Sequence, residues 1–120
     1  MTPQITYGQI LGAVIRYDRK VAGLSQKEMA QAIDLSTSTW SRVENGHTDV
    51  SIVHLRRAAV VLDRHAYQWL QTADDLCPAI QEQLPAVHIG LPGSDTWSLG
   101  SSALFQLVSS ILVAKGRTRD

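Results

Sequence analysis

The feature that most constrains this chain is a pair of short helical patterns separated by a sharp turn. Ser25 stands three residues before Glu28, and this spacing is typical of a capping box that begins a helix. Ser36 stands in the same way before a second helical pattern, which ends at the sequence Glu-Asn-Gly. Asp34 lies between the two, and aspartate tolerates left-handed backbone better than most residues. The sequence therefore predicts two short helices joined by a tight turn.

Apolar residues recur at helical spacing along much of the chain, which predicts an all-α fold. Five helices are expected first, over residues 7–22, 26–33, 36–45, 52–62 and 66–76. Pro78 is expected to interrupt the chain, so that residues 79–84 form a separate helical piece. The segment 85–97 contains two prolines and two glycines and is predicted to be a connection, and residues 101–114 form the last helix. We therefore predict a domain over residues 1–76 and a helical extension over 77–120.

The charge distribution bears on nucleic-acid binding. The formal net charge is +0, which argues mildly against it, because phosphate contacts made by basic residues supply much of the affinity for DNA. Residues 1–65 nevertheless hold eight Lys and Arg against six Asp and Glu, whereas residues 66–110 hold four acids and no Lys or Arg. A DNA-binding surface is therefore expected in the first half.

Several classes of protein and site are not expected. The chain has one cysteine, so neither an intrachain disulfide nor a cysteine zinc cluster is possible. No nucleophile–base arrangement can be placed, and no histidine has metal-ligand spacing, so we expect no enzymatic activity, cofactor or metal. No signal segment opens the chain, and the apolar stretch 103–114 is shorter than the roughly 20 residues of a membrane helix. The expected location is the cytoplasm.

The two short helices also carry a pattern that DNA reading requires. In a helix-turn-helix, one helix crosses the DNA backbone and the second, held at a steep angle, enters the major groove. Ala30 provides the small residue where the helices approach, and five apolar residues are placed to fix both helices to a core: Met29, Ile33, Leu35, Trp40 and Val43. Trp40 is thus predicted to be buried rather than stacked on DNA. The outward positions of the second helix are polar: Thr37, Ser38, Ser41 and Arg42.

The stretch LSQKEMAQAIDLSTSTWSRVENG, residues 24–46, resembles the lambda-repressor/Cro-like (XRE) helix-turn-helix regulators, a family of bacterial and phage transcription factors. The resemblance extends over about residues 7–62. It departs from the family pattern at Asp34, where glycine is usual, and at Trp40, where a small aliphatic residue is usual. The resemblance implies a five-helix lambda-repressor-like DNA-binding domain without cofactor or metal.

The resemblance also implies residue roles. Double-stranded operator DNA is the expected partner, with base contacts from Thr37, Ser38, Ser41 and Arg42. Arg42 is the main candidate for direct readout, because a guanidinium pairs bidentately with guanine O6 and N7. Contacts to the DNA backbone are expected from Gln26, Lys27, Asn45, His47 and Thr48.

The last helix carries more apolar residues than one helical face can bury. Either the helix passes through its own core, or one face meets a second chain. We predict a homodimer or higher oligomer formed through five of its residues: Leu104, Leu107, Val108, Ile111 and Leu112. Residues 115–120 are expected to be disordered.

Two alternatives to a homo-oligomeric regulator stay open. In one, the protein is an antitoxin whose C-terminal segment binds a toxin protein. In the other, the fold is a protein-interaction module that has lost DNA binding, an alternative kept open by the zero net charge and the single arginine of the reading helix.

Overall fold

The computed structural model describes residues 2–89, 96–98 and 100–117. Within them the fold is all-α, as predicted, with three short strands added. The helices are α1 (Tyr7–Val21), α2 (Gln26–Ala32), α3 (Thr37–Glu44), α4 (Ile52–Val61), α5 (Ala66–Gln83) and α6 (Ser101–Ala114). The strands are β1 (Thr2–Ile5), β2 (His88–Ile89) and β3 (Thr96–Ser98). None of the described helices is long and apolar enough to cross a membrane.

Helix α1 lies at the centre of the molecule and contacts α3, α5 and α6. It begins at Thr6, whose hydroxyl accepts a hydrogen bond from the backbone N–H of Gln9 while the Gln9 side chain accepts from the N–H of Thr6. Its side chains are buried around most of its circumference rather than along one stripe, because it has neighbours on several sides. The core of the helix-turn-helix region and the core of the C-terminal segment therefore share this helix.

The predicted break at Pro78 is wrong, because α5 continues through this residue. Proline removes a backbone donor inside a helix and costs about 3 kcal/mol. Pro78 is nevertheless an exposed residue within one continuous helix. The buried residues Leu76 and Ile80 lie on either side of it and belong to one apolar stripe, so burial keeps the helix continuous. The predicted boundary between residues 76 and 77 falls inside this helix.

The segment predicted as a connection contributes two strands to a parallel sheet of order β2-β1-β3. Gln4 is in register with His88 on one side and with Ser98 on the other. Strands of two to four residues are too short to show the alternation by which a sequence reveals a strand. Residues 90–95 of this segment lie outside the described residues.

The side chains of α6 that were predicted to form an oligomer interface lie mostly in the protein's own core. Four of the five side chains assigned to that interface, Leu104, Val108, Ile111 and Leu112, are buried in the protein's own core, and the fifth, Leu107, is half-buried. Helix α6 contacts α1 and α5, and these contacts bury the four leucine, valine and isoleucine side chains just named. Burial contradicts the predicted contact of these four residues with a second chain, because their surface is already covered, whereas Leu107 keeps part of its surface exposed. Self-association itself stays a prediction.

Arg117, which follows α6, is fixed to the core, although disorder was expected for residues 115–120. The guanidinium of Arg117 donates to both carboxylate oxygens of Asp18, at 3.1 and 2.7 Å, and to the Thr72 hydroxyl at 2.9 Å. The Tyr17 hydroxyl donates to the Arg117 carbonyl at 2.7 Å. Asp18 is a buried residue of α1, so the C-terminal segment is tied to the central helix; residues 118–120 lie outside the described residues.

Candidate nucleic-acid interface

Helices α2 and α3 begin at the predicted caps. The Ser25 hydroxyl accepts from the backbone N–H of Glu28 at 3.0 Å, and the Glu28 carboxylate accepts from the N–H of Ser25 at 2.9 Å. Ser36 accepts from the N–H of Thr39 at 3.1 Å. Between the helices Asp34 has a φ of 62°, which confirms the predicted left-handed turn. The local chemistry of the sequence thus sets where both helices begin and how the chain turns.

The inward side of the two helices is apolar, as predicted. Met29, Ala30, Ile33, Trp40 and Val43 are buried, and Leu35 is half-buried. Trp40 has no exposed surface, which confirms its place in the core. Since the inward side of α3 is fixed in this way, its other side is left for solvent or a ligand.

A buried carboxylate that the sequence analysis did not assign holds the motif together. Glu44, the last residue of α3, accepts hydrogen bonds from both the Nε and Nη2 atoms of Arg19 on α1 and from the Trp40 indole N–H at 2.6 Å. It also accepts from the side-chain amide of Gln26 at the start of α2, at 3.0 Å. One carboxylate therefore links three helices. The sequence offers one indication of this role, because Glu44 lies one turn after Trp40 and therefore on the same inward face of α3.

The close approach of α1 to the end of α3 requires glycine. A Cβ atom at Gly12 would clash with the backbone carbonyls of Val43 and Glu44. Gly46 has a φ of 73°, and a Cβ there would lie 2.6 Å from Gln9 Cα. These two glycines let α1 support the end of α3 directly, which fixes the orientation of its outer face.

The outer face of α3 is polar and accessible. Thr37, Ser38 and Arg42 are exposed, and Ser41 is half-buried on the same helix. Within the described part of the chain Arg42 makes no ion pair, so its guanidinium is available to a ligand. The Ser38 hydroxyl lies 3.3 Å from that of Ser36, within the hydrogen bonds of the helix start. The four residues predicted to contact bases share one helix, and such contact stays a prediction.

The residues predicted to contact the DNA backbone are brought together in part. The Gln26–Glu44 hydrogen bond places the start of α2 beside the end of α3, where the following loop begins with Asn45. Lys27 and His47 are exposed, whereas Gln26, Asn45 and Thr48 are half-buried. The Gln26 amide donates to Glu44, and contact of these five residues with DNA stays a prediction.

The surface formed by α2, α3 and the loop that follows α3 is only weakly basic. Lys27 and Arg42 are exposed, but so are the acids Glu28, Asp34 and Asp49. Hydrogen bonds from the backbone and then the side chain of Ser25 hold the pKa of Glu28 below its usual value, and its carboxylate adds negative charge to this surface. In the described ranges no three His, Cys, Asp or Glu side chains are grouped to hold a metal ion. The outer face of α3 offers hydrogen-bonding groups and the guanidinium of Arg42, which has no ion pair among the described residues. Such a face suits a ligand whose exposed atoms accept hydrogen bonds.

Comparisons with known proteins agree with this geometry. A family described as "Helix-turn-helix domain" matches residues 10–66, from α1 to the start of α5. A search of curated proteins gives no match. Among solved structures, the clp gene regulator ClgR from Corynebacterium glutamicum is similar, with a TM-score of 0.59 and 28% identity over 66% of this chain and 86% of that one.

Proposed function

We propose that residues 10–66, which match a helix-turn-helix family, form a DNA-binding domain of the lambda-repressor/Cro-like (XRE) kind, and that this chain is a transcriptional regulator that reads a specific operator with α3. The observation that carries the proposal is the two-sided character of α3. Its inner side is fixed by Trp40 and Glu44, and its outer side presents exposed polar groups. A rigid helix with a free polar face suits insertion into the major groove.

The residues of the outer face have different chemical capacities. The Arg42 guanidinium can donate two parallel hydrogen bonds to guanine O6 and N7, which distinguishes guanine from the other bases. The hydroxyls of Thr37, Ser38 and Ser41 can donate or accept, so they discriminate less strongly. Lys27, Gln26 and the loop residues Asn45, His47 and Thr48 would position the domain on the phosphates. Specificity therefore depends mainly on Arg42.

A single copy of this face would bind DNA weakly, because it has one free guanidinium and few other cations. We therefore propose that two copies bind a symmetric operator whose half-sites are about 34 Å apart. Repression by occupying the operator is the simplest mode of action. In this proposal the protein acts in the cytoplasm of a bacterium, or as a phage regulator, without catalysis, cofactor or metal.

The test is the substitution Arg42→Ala, measured by fluorescence anisotropy on the chain's own upstream region and on random duplex DNA. We expect a loss of about 1–3 kcal/mol on the specific site and a relaxed preference at one base pair. The control, Lys27→Ala, removes an exposed cation at the start of α2 and should weaken binding to both DNAs about equally. An equal loss on both DNAs for Arg42→Ala would show that Arg42 contacts phosphate alone.

A further inference from the structure

The first half of α1 and the segment that follows α3 enclose a cavity of about 650 Å³. Small-molecule sites in proteins have volumes of about 300–1,000 Å³, so this space is large enough for a ligand. Helix α1 contributes one face of its first half, α3 contributes Val43, and the loop after α3 contributes residues 48–50. We call this space the α1–α3 cavity.

Two glycines of α1 explain why the cavity forms. At Gly12 the backbones of α1 and α3 lie in contact, because a Cβ atom there would clash with the carbonyls at the end of α3. One turn earlier, a Cβ atom at Gly8 would lie 3.8 Å from Thr6 Oγ1 and 3.9 Å from the Gly46 carbonyl oxygen, which is ordinary contact distance. The space therefore opens from Gly12 toward the start of α1, and Gly8 has no side chain to fill it.

The lining of the α1–α3 cavity combines an apolar interior with one charged group. Four apolar side chains line it: Leu11, Ile15, Val43 and Val50. Among the eleven described residues of the lining, Asp49 is the one acidic or basic residue, and it is exposed, so it lies at the mouth. Asp49 forms no ion pair with any residue of the described ranges. The cavity thus offers an apolar space with an unpaired carboxylate at its opening.

We propose that the α1–α3 cavity binds a small molecule that has an apolar body and a protonated primary amine. The apolar body lies among Leu11, Ile15 and Val43, where it is removed from water. The ammonium group donates charge-assisted hydrogen bonds to the carboxylate of Asp49. Charge complementarity selects this class of ligand over an acid of the same shape, because the lining gives an anion no cation to pair with.

The position of the cavity connects the ligand to DNA binding, and this step rests on the proposed function. Thr48, which lines the cavity, is one of the residues proposed to contact the DNA backbone. The neighbouring carboxylate of Asp49 repels phosphates, so an ammonium group paired with it removes an unfavourable charge. The liganded protein should therefore bind DNA more tightly, and by linkage DNA should strengthen ligand binding by the same factor. The amine acts as a co-regulator in this proposal.

The first experiment tests the site without DNA. Tryptamine, an indole ring with a two-carbon chain and a primary amine, is titrated into the isotopically labelled full chain while its amide NMR resonances are recorded. We expect shifts concentrated in residues 6–15 and 43–50 and a dissociation constant of about 1 mM, as suits a ligand of this size. Indole-3-propionate is the matched control ligand, since a carboxylate replaces the amine, and it should bind about tenfold more weakly or less.

The charge of the site is tested by Asp49→Asn, which should weaken tryptamine binding by about fivefold or more, because the amide cannot form the ion pair. Asp34→Asn is the matched control. Asp34 is also an exposed aspartate, it does not line the cavity, and asparagine tolerates its left-handed backbone. This control should leave the dissociation constant of tryptamine unchanged.

The space of the site is tested by filling it. Gly8→Phe directs a ring into the cavity and should weaken tryptamine binding by about tenfold or more, because the two rings compete for one volume. Gly8→Ala is the control, because its methyl group makes only ordinary contacts and leaves most of the cavity open. Both variants replace a helical glycine by a residue of higher helix propensity, and their melting temperatures verify the fold.

Three results would overturn the site. Without localised shifts up to about 10 mM tryptamine, well above the expected dissociation constant, the cavity holds solvent alone. Equal affinity for indole-3-propionate would show that Asp49 does not select an amine. A folded Gly8→Phe variant that binds tryptamine as the wild type does would place the ligand elsewhere.

A second experiment tests the effect on DNA and separates this inference from the proposed function. Saturating tryptamine should raise the affinity for the operator by about threefold, whereas Asp49→Asn should bind the operator more tightly without ligand and lose the response. That lost response excludes an effect of the amine on the DNA itself. An unchanged affinity in the liganded wild type refutes the co-regulator role.

The two proposals fail in different ways. A chain that binds tryptamine in the α1–α3 cavity and binds no duplex DNA refutes the proposed function and leaves the ligand site standing. A chain that binds the operator and no tryptamine refutes the ligand site and leaves the function standing.

Discussion

Two buried carboxylates each join several helices of this molecule, and they differ in how far along the chain their partners lie. Glu44 takes its hydrogen bonds from Arg19, Gln26 and Trp40, which all lie within 25 residues of it. Asp18, the neighbour of Arg19 on α1, is bonded by Trp69 at 2.7 Å and by Arg117, 51 and 99 residues away. The first network fixes the reading helix, and the second fixes α5 and the C-terminal segment to α1.

The two networks also differ in the burial of their arginines. The side chain of Arg19 is 7% exposed, whereas those of Arg64 and Arg117 are 26% and 15% exposed. An arginine that loses its partner in the interior is left uncompensated, whereas one near the surface can be solvated. The comparison therefore predicts that the network around Glu44 is the more sensitive to substitution.

The largest expected effect is that of Glu44→Ala. Removing the carboxylate leaves the buried charge of Arg19 without its counter-ion, with only the Leu24 carbonyl still accepting from its guanidinium, and leaves the indole N–H of Trp40 without an acceptor. We therefore expect the free energy of unfolding to fall by about 3–5 kcal/mol. Urea denaturation measures this loss. The double variant Arg19→Met with Glu44→Leu replaces the pair by apolar groups and should lose less than the single variant. A single-variant loss below about 1 kcal/mol would contradict the role given to Glu44.

A smaller loss in the free energy of unfolding is expected for Asp18→Asn. The amide oxygen can still accept from the Trp69 indole, and the two arginines are close enough to water to be solvated, so the expected loss is about 1–3 kcal/mol. Hydrogen exchange should quicken in α6, while the folded variant keeps its affinity for DNA, since α3 is untouched. Arg117→Ala is the control and should affect the same helix to a lesser degree. If the folded Asp18→Asn variant bound a single operator half-site more weakly than the wild type does, the Asp18 network would also support the reading helix. The distinction between the two networks would then be wrong.

The smallest effect concerns a third carboxylate, which is exposed. The pKa of Glu28 is lowered in the folded protein, so its contribution to stability is present above the unfolded pKa and is lost as the pH falls through the folded value. Glu28→Gln keeps the capping-box hydrogen bond without the charge. The difference in urea midpoint between wild type and variant should therefore shrink as the pH falls below 4.5, the ordinary value. A difference that stays constant with pH would show that the charge of Glu28 adds nothing.

The elements that the sequence predicted correctly are those set by neighbouring residues. Ser25, Ser36 and Asp34 act through backbone groups at most three residues away, so their structural roles could be predicted without knowing the rest of the fold. The polar outer face of α3 followed from helical spacing in the same way. The predicted break at Pro78 failed because a buried stripe on both sides of the proline outweighed its local preference.

The sequence by itself determined where the helix-turn-helix begins, turns and ends, and which side of α3 is buried, because caps and periodicity depend on residues within a turn or two of each other. Only the tertiary structure decided that the surplus apolar residues of α6 cover α1 and α5 instead of a second chain. It also decided that Arg117 reaches Asp18. Both outcomes depend on which surfaces meet between residues far apart in the chain, 99 residues apart in the case of Asp18 and Arg117. Periodicity shows that a face is apolar without showing what covers it.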